Sequence, residues 1–140
     1  MRVTFDTTFF VIHYFSQNPR FLEKTREILR RSRLQGNRGI VPTIVLAEFY
    51  AQAAKRSGAT EAERRFNEIS ESGLEIVNLD ATISMRGGIL RRRYQEKIPW
   101  GDCLVAAVAL VYSSEYVITE DPEFKSFKEI KSRKIEEINV

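Results

Sequence analysis

Two rhythms alternate along the chain: short apolar runs of strand length, and longer stretches whose apolar positions recur at helical spacing. Val3 to Phe5 is a β-prone run that ends on Asp6. Phe9, Phe10, Ile12 and His13 follow at helical spacing, so Thr7 or Thr8 reads as the N-cap of a first helix. Asn18-Pro19 breaks that helix and starts a second, because proline fits the first helical position. Phe21, Leu22, Thr25, Ile28 and Leu29 line one face of this second helix, with Arg and Glu opposite, and Gly36-Asn37 ends it. Arg38 to Val41 is a second strand closed by Pro42. Thr43 then caps a helix reaching about Arg56, stopped by Ser57-Gly58.

Thr60, with Glu63 three residues on, has capping-box spacing and opens a helix edged by Phe66 and Ile69 that Gly73 stops. Leu74 to Leu79 alternates as a third strand, and Asp80 caps a helix carrying Ile83, Leu90 and Tyr94. Gly87-Gly88 inside that helix cost about 1 kcal/mol each relative to Ala, which close packing against a neighbour would explain. An apolar helix runs from Asp102 to about Tyr112, Tyr116 to Thr119 is a fourth strand, and Asp121-Pro122 begins a turn. Ile135 to Ile138 reads as a last edge strand. Strands alternating with helices predict an α/β fold with a parallel sheet, in a single domain spanning 1–140.

With 43% hydrophobic residues and nine Phe in 140 positions, the chain can bury a core, which argues against disorder. The single cysteine, Cys103, excludes an internal disulfide and a Cys-rich zinc site, and its apolar flanks suit a small buried hydrophobe. The longest uncharged apolar run, Cys103 to Tyr112, is about half of what a membrane span needs, and Met1 to Asp6 lacks a signal pattern. The expectation is a soluble, cytoplasmic chain with no membrane partner. Lys and Arg number 22 against 19 Asp and Glu, and only four of those acids are Asp. Gathering acids into one pocket would leave the remaining surface more basic, as suits a metal-dependent enzyme acting on a polyanion. A helical protein with ordinary solvated faces gives the same totals.

Ligands of parallel sheets collect beyond the carboxyl ends of the strands. Asp6 follows the first strand directly, Asp121 follows the fourth by a turn, and Asp102 opens a helix. Glu48 lies among Val45, Leu46, Phe49 and Tyr50, where an acid requires a partner. Taken singly they read as a turn residue, an Asp-Pro turn, an N-cap and a buried ion pair. Brought to one edge they would repel by roughly 4 kcal/mol per pair at about 4 Å with an effective dielectric near 20. Such a group persists with a cation or shared protons, and all-oxygen ligation suits Mg²⁺ or Mn²⁺.

These stretches resemble the PIN-domain family, and most closely its VapC-like toxin branch. The matching segments are Val3 to Phe10, Val41 to Glu48, Pro99 to Ala107 and Tyr116 to Phe124, so the resemblance spans nearly the whole chain. It implies a PIN-like three-layer α/β/α sandwich with a short central parallel sheet, and a Mg²⁺- or Mn²⁺-dependent ribonuclease that hydrolyses RNA with activated water. It implies Asp6, Glu48, Asp102 and Asp121 as the catalytic, metal-binding quartet, with Thr7 and Thr119 as the hydroxyls accompanying the first and last acids. It further implies a homodimer and a cognate antitoxin protein that inserts an Arg into the acidic pocket. Pro99-Trp100-Gly101 departs from the family pattern, in which a hydroxyl and a Tyr or similar often precede the third acid. A non-catalytic PIN-fold module binding RNA or protein, and a housekeeping RNA-processing nuclease, are the alternative readings.

Other residues carry less. His13, the only histidine, suits packing better than catalysis, and neither an Asp-x-Asp phosphatase motif nor a P-loop is present. Arg91 to Arg93 and the cluster Lys125, Lys128, Lys131, Arg133 and Lys134 read equally as solvated faces or RNA contacts. The apolar face around Phe9, Phe10 and Tyr50 is a candidate protein contact.

Overall fold

In the computed structural model, which describes residues 1–140, the elements run β1 (Arg2–Phe5), α1 (Thr7–Phe15), α2 (Pro19–Ser32), β2 (Arg38–Pro42), α3 (Thr43–Ser57) and α4 (Ala59–Ser70). They continue with β3 (Glu75–Val77), α5 (Ala81–Arg93), α6 (Trp100–Val111), β4 (Tyr116–Ile118) and β5 (Ser132–Arg133). The five strands pair in parallel in the order β3-β2-β1-β4-β5, and the six helices flank them in an α/β sandwich. The chain lays β1, β2 and β3 outward in one direction, then returns to place β4 on the free side of β1. That reversal puts a crevice at the carboxyl ends of β1 and β4. Asp6 N donates to Ile118 O at 3.1 Å, tying the two strand ends together there.

Sheets covered on both faces need strands without a polar side, and Val3, Phe5, Ile40, Val41, Val117 and Ile118 are all fully buried. Thr4 is buried as well, and its hydroxyl pairs with that of Ser114 at 2.7 Å. The rings of Phe5, Phe9 and Phe10 pack in tilted and edge-to-face contacts, with centroids 4.7 Å (Phe5–Phe9), 5.6 Å (Phe5–Phe10) and 5.2 Å (Phe9–Phe10) apart. Burying each such ring contributes on the order of 1.5–3 kcal/mol. This overturns the expectation that Phe9 and Phe10 face a protein partner: both are core residues, and only Tyr50, 39% exposed, remains at the surface. Gly39 in β2 has no room for a side chain. A Cβ there would lie 2.8 Å from Leu74 Cδ2 and from Ser32 Cβ, and 3.0 Å from Phe5 Cε2.

Several boundaries differ from the sequence reading, each for a local reason. Asp6, rather than Thr7 or Thr8, holds the N-cap position of α1, and its carboxylate makes no cap bond because Thr119 engages it. α4 starts one residue before Thr60, directly after Gly58, whose φ of 87° turns the chain between α3 and α4. β3 is confined to Glu75–Val77, and α6 begins at Trp100, which leaves Asp102 in its first turn. Ile135 to Ile138 is not a strand. Ile135 and Ile138 are both buried at a spacing of three, the period of the 3₁₀ turn found over Ile135–Glu137, and β5 supplies the sheet edge instead.

Asp80 does cap α5, accepting from Ile83 N at 2.9 Å. Of the glycine pair, Gly87 faces Leu104, whose Cδ2 would sit 2.7 Å from an added Cβ, whereas Gly88 faces open space and nothing in the structure explains it. His13 is a packing residue: its Nδ1 pairs with Thr25 Oγ1 at 2.8 Å, and burial with nearby Arg26 and Arg65 pushes its pKa down to about 4. Cys103 is buried and unpaired. No helix is long and apolar enough to cross a membrane.

Candidate active site

Four elements deliver acids to the crevice. Asp6 is the first residue beyond β1, Asp121 lies three residues beyond β4, Glu48 is in the second turn of α3, and Asp102 is in the first turn of α6. All four line one cleft of about 400 Å³, together with Thr7, Thr8, Gln52, Arg56 and Glu120. The acids read from the sequence therefore share one site, although the first and last stand 115 positions apart in the chain.

The cleft contains two tiers. Asp102, Asp121 and Glu123 each offer a carboxylate oxygen, and these atoms lie within 4.8 Å of one another. Asp6 and Glu48 stand outside that tight group, each held by a hydroxyl. Asp6, 3% exposed, accepts from Thr119 Oγ1 at 2.6 Å, and Glu48 Oε1 accepts from Thr7 Oγ1 at 2.8 Å. The two threonines named from the sequence are present, but Thr7 serves the second acid and Thr119 the first. Thr119 Oγ1 also accepts from Asp121 N at 3.0 Å, so one hydroxyl aligns the first and last acids together.

Sequence reasoning missed four participants. Thr8 accepts from Glu120 N at 2.9 Å and lies 3.3 Å from Thr119 Oγ1, joining α1 to the loop after β4. Glu123 completes the tight carboxylate group, and only the spacing Asp121-Pro122-Glu123 could have signalled it. Gln52 and Arg56 extend the α3 face of the cleft; their i+4 and i+8 spacing from Glu48 was legible but had no assigned role. Arg91 and Arg93, in contrast, are engaged by the protein's own groups, although Arg93 stays exposed. Arg91 lies over the Trp100 ring at 4.8 Å and Arg93 pairs with Glu129. Lys125 donates to Ser132 O at 2.7 Å, and Arg133 lies over Tyr116 at 5.4 Å.

Burial and the neighbouring carboxylates raise the pKa of Asp6, Glu48 and Asp102. Desolvation pushes Asp6 up against the opposing bond from Thr119, and desolvation likewise raises Glu48 against the bond from Thr7. Asp102 is pushed furthest, to about 8, by desolvation first and then by Asp121, with Asp6 and Glu123 adding to it. Asp102 is 9% exposed and its Oδ2 has no hydrogen-bond partner. A buried carboxylate oxygen without a donor is costly, and two anions side by side cannot donate to each other. A hard divalent cation satisfies both conditions, and a donor set made only of carboxylate oxygens suits Mg²⁺ or Mn²⁺.

The sequence profile of the PIN domain matches residues 3–130. No curated protein matches the chain. Solved structures do: VapBC2 from Rickettsia felis, bound to a DNA fragment from its promoter, superposes with a TM-score of 0.74 at 20% identity, covering 96% of this chain and 98% of that one. VapC20 of Mycobacterium tuberculosis, a toxin that cleaves the sarcin-ricin loop, gives 0.73 at 17% identity over 92% and 98%. DNA-bound VapBC from Salmonella typhimurium gives 0.74 at 19% over 96% and 98%. At such identities the shared property is the fold.

Proposed function

Because this chain belongs to the PIN-domain family, we propose that it is a metal-dependent endoribonuclease and the toxin of a VapBC-type toxin–antitoxin pair. The observation that carries the reading is the buried, unpartnered Oδ2 of Asp102 beside Asp121, in the cleft that Asp6 and Glu48 also line. The similarity to VapC20 and to VapBC complexes supports RNA as substrate and an antitoxin as partner.

In this reading Asp102 and Asp121 hold Mg²⁺ or Mn²⁺ and Asp6 completes the set, directly or through water. The bound ion would screen the phosphodiester charge and acidify water. Thr119 fixes Asp6 and the Asp121 backbone in one arrangement, so the acids need no reordering as RNA binds. Glu48, aimed by Thr7, contacts the ion or orients the attacking water. No side chain forms a covalent bond to the RNA. An antitoxin arginine would find clustered carboxylates suited to its planar fork.

The test is cleavage of total RNA by the purified chain with Mg²⁺, Mn²⁺ or EDTA, beside Asp6→Asn. Cleavage is expected with either ion and lost in EDTA and in the variant. Equal cleavage by Asp6→Asn would remove the assignment, and an inert wild type returns the chain to the binding-module reading. Cleavage that no protein encoded beside this chain suppresses points to RNA processing rather than a toxin.

We also infer a homodimer, supported by Met85 (69% exposed) and Ile89 (44% exposed), one turn apart on the outer face of α5. Light scattering at micromolar concentration should give twice the 16.2 kDa chain mass. A monomer would sink this inference.

A further inference from the structure

Glu48, Gln52 and Arg56 occupy successive turns of α3 on the side that lines the cleft. Arg56 is thus about 12 Å along the helix axis from Glu48, at the opposite end of the same wall. Its Nη1 donates to Gln52 Oε1 at 2.8 Å, and its guanidinium carbon lies 5.9 Å from the centre of the Phe15 ring. The ion pairs of the protein engage Arg30, Arg31, Arg38, Arg64, Arg65 and Arg93, and none engages Arg56. An acidic cleft therefore carries at one end an exposed arginine, braced by an amide and a ring, with no carboxylate on it. A cation serving only the helix dipole need not face the cleft; Lys55, in the same last turn, does not line it.

We propose that Arg56, positioned by Gln52 and Phe15, binds a phosphate flanking the scissile one and so fixes the direction in which an RNA strand crosses the cleft. The assignment rests on the nuclease reading. A guanidinium offers five N–H donors in a plane matched to phosphate oxygens, and the bond to Gln52 occupies only part of them. The carboxylate end of the cleft repels the backbone except where a cation sits, so the Arg56 end supplies the protein's own attraction. One polyanion lying along α3 meets both.

The experiment is anisotropy titration of a fluorescein-labelled single-stranded RNA against the full chain across a salt series. Ca²⁺ replaces Mg²⁺, and the RNA is checked intact by gel. Arg56→Gln keeps the side-chain stem and loses the charge; Arg56→Lys keeps the charge. Loss of one phosphate contact should flatten the slope of log affinity against log salt by about 0.7 in Arg56→Gln. Affinity at low salt should fall about tenfold. Arg56→Lys should keep the wild-type slope, and both variants should keep the wild-type rise in melting temperature with Mn²⁺. A wild-type slope and affinity in Arg56→Gln overturns the assignment, as does an equal loss in Arg56→Lys. A wild type that binds no RNA overturns the nuclease reading itself.

Discussion

An Asp102→Asn variant should melt higher than wild type in EDTA at pH 8, and its melting temperature should no longer respond to Mn²⁺. In the wild type the Asp102 carboxylate is buried with Oδ2 unpartnered and Asp121 beside it. Its pKa is raised from 3.8 to about 8 in the folded chain. The folded state then binds a proton that the unfolded state releases. The stability this gives is whole below about pH 4, declines as pH rises, and is gone above about pH 8. The slope is at most about 1.4 kcal/mol per pH unit. Asn removes the charge and offers an N–H to Asp121, so the metal-free variant should lose this pH dependence and melt roughly 5 °C higher at pH 8. The wild type should instead gain about 2.7 kcal/mol from Mn²⁺ at 100 times its dissociation constant. Differential scanning fluorimetry across pH, with EDTA or Mn²⁺, reads both effects. A variant that still gains stability from Mn²⁺ would remove Asp102 from the proposed metal site.

Gly101→Ala should cut RNA cleavage about 100-fold while leaving the fold nearly as stable as wild type. A Cβ at position 101 would stand 2.6 Å from Glu48 Oε2 and 3.2 Å from its Cδ. No atom tolerates such a distance, and the group able to move is the end of the Glu48 side chain rather than the helix backbone. Glu48 would swing off the bond from Thr7, at 2.8 Å in the wild type, and leave its place on the cleft wall. The core does not share this contact, so the melting temperature should change by the equivalent of less than about 1 kcal/mol. Measuring kcat/KM beside a thermal melt separates the two effects. Cleavage at the wild-type rate would show that the position of Glu48 does not matter.

Gly101 also shows what sequence alone conveyed. Pro99-Trp100-Gly101 stood out as a departure from the family pattern, but its reason lies 53 residues away on α3, where no local rule reaches. Asp6, Asp102 and Asp121 were legible because strand ends and helix starts are marked locally, by β-prone runs and helix signals. Glu48 was legible because an acid inside an apolar stripe is anomalous by itself. Thr8 and Glu123 were not, and Arg56 had a legible spacing but no role, since an ordinary hydroxyl, acid or cation gains meaning only from neighbours brought up by the fold. The partners of Thr7 and Thr119 have the same origin: sequence adjacency put each beside one acid, whereas tertiary geometry aims Thr7 at Glu48 and Thr119 at Asp6. The fold followed from alternating patterns, with its errors at edges, where Ile135 and Ile138 stand three apart, the period of a 3₁₀ turn rather than of a strand.

The return of the chain past β1 has a consequence for synthesis. β1, α1 and α3 emerge early and carry Asp6 and Glu48, but the strand that pairs with the open side of β1 is made more than 100 residues later. Until then Asp6 lacks Thr119, the carboxylate group lacks Asp121 and Glu123, and one edge of β1 has no partner. Pairing between strands so distant in sequence is a late and slow event in folding. On the proposed function, the site is therefore incomplete, and unable to cleave RNA near the ribosome that makes it, until Glu123 has been translated.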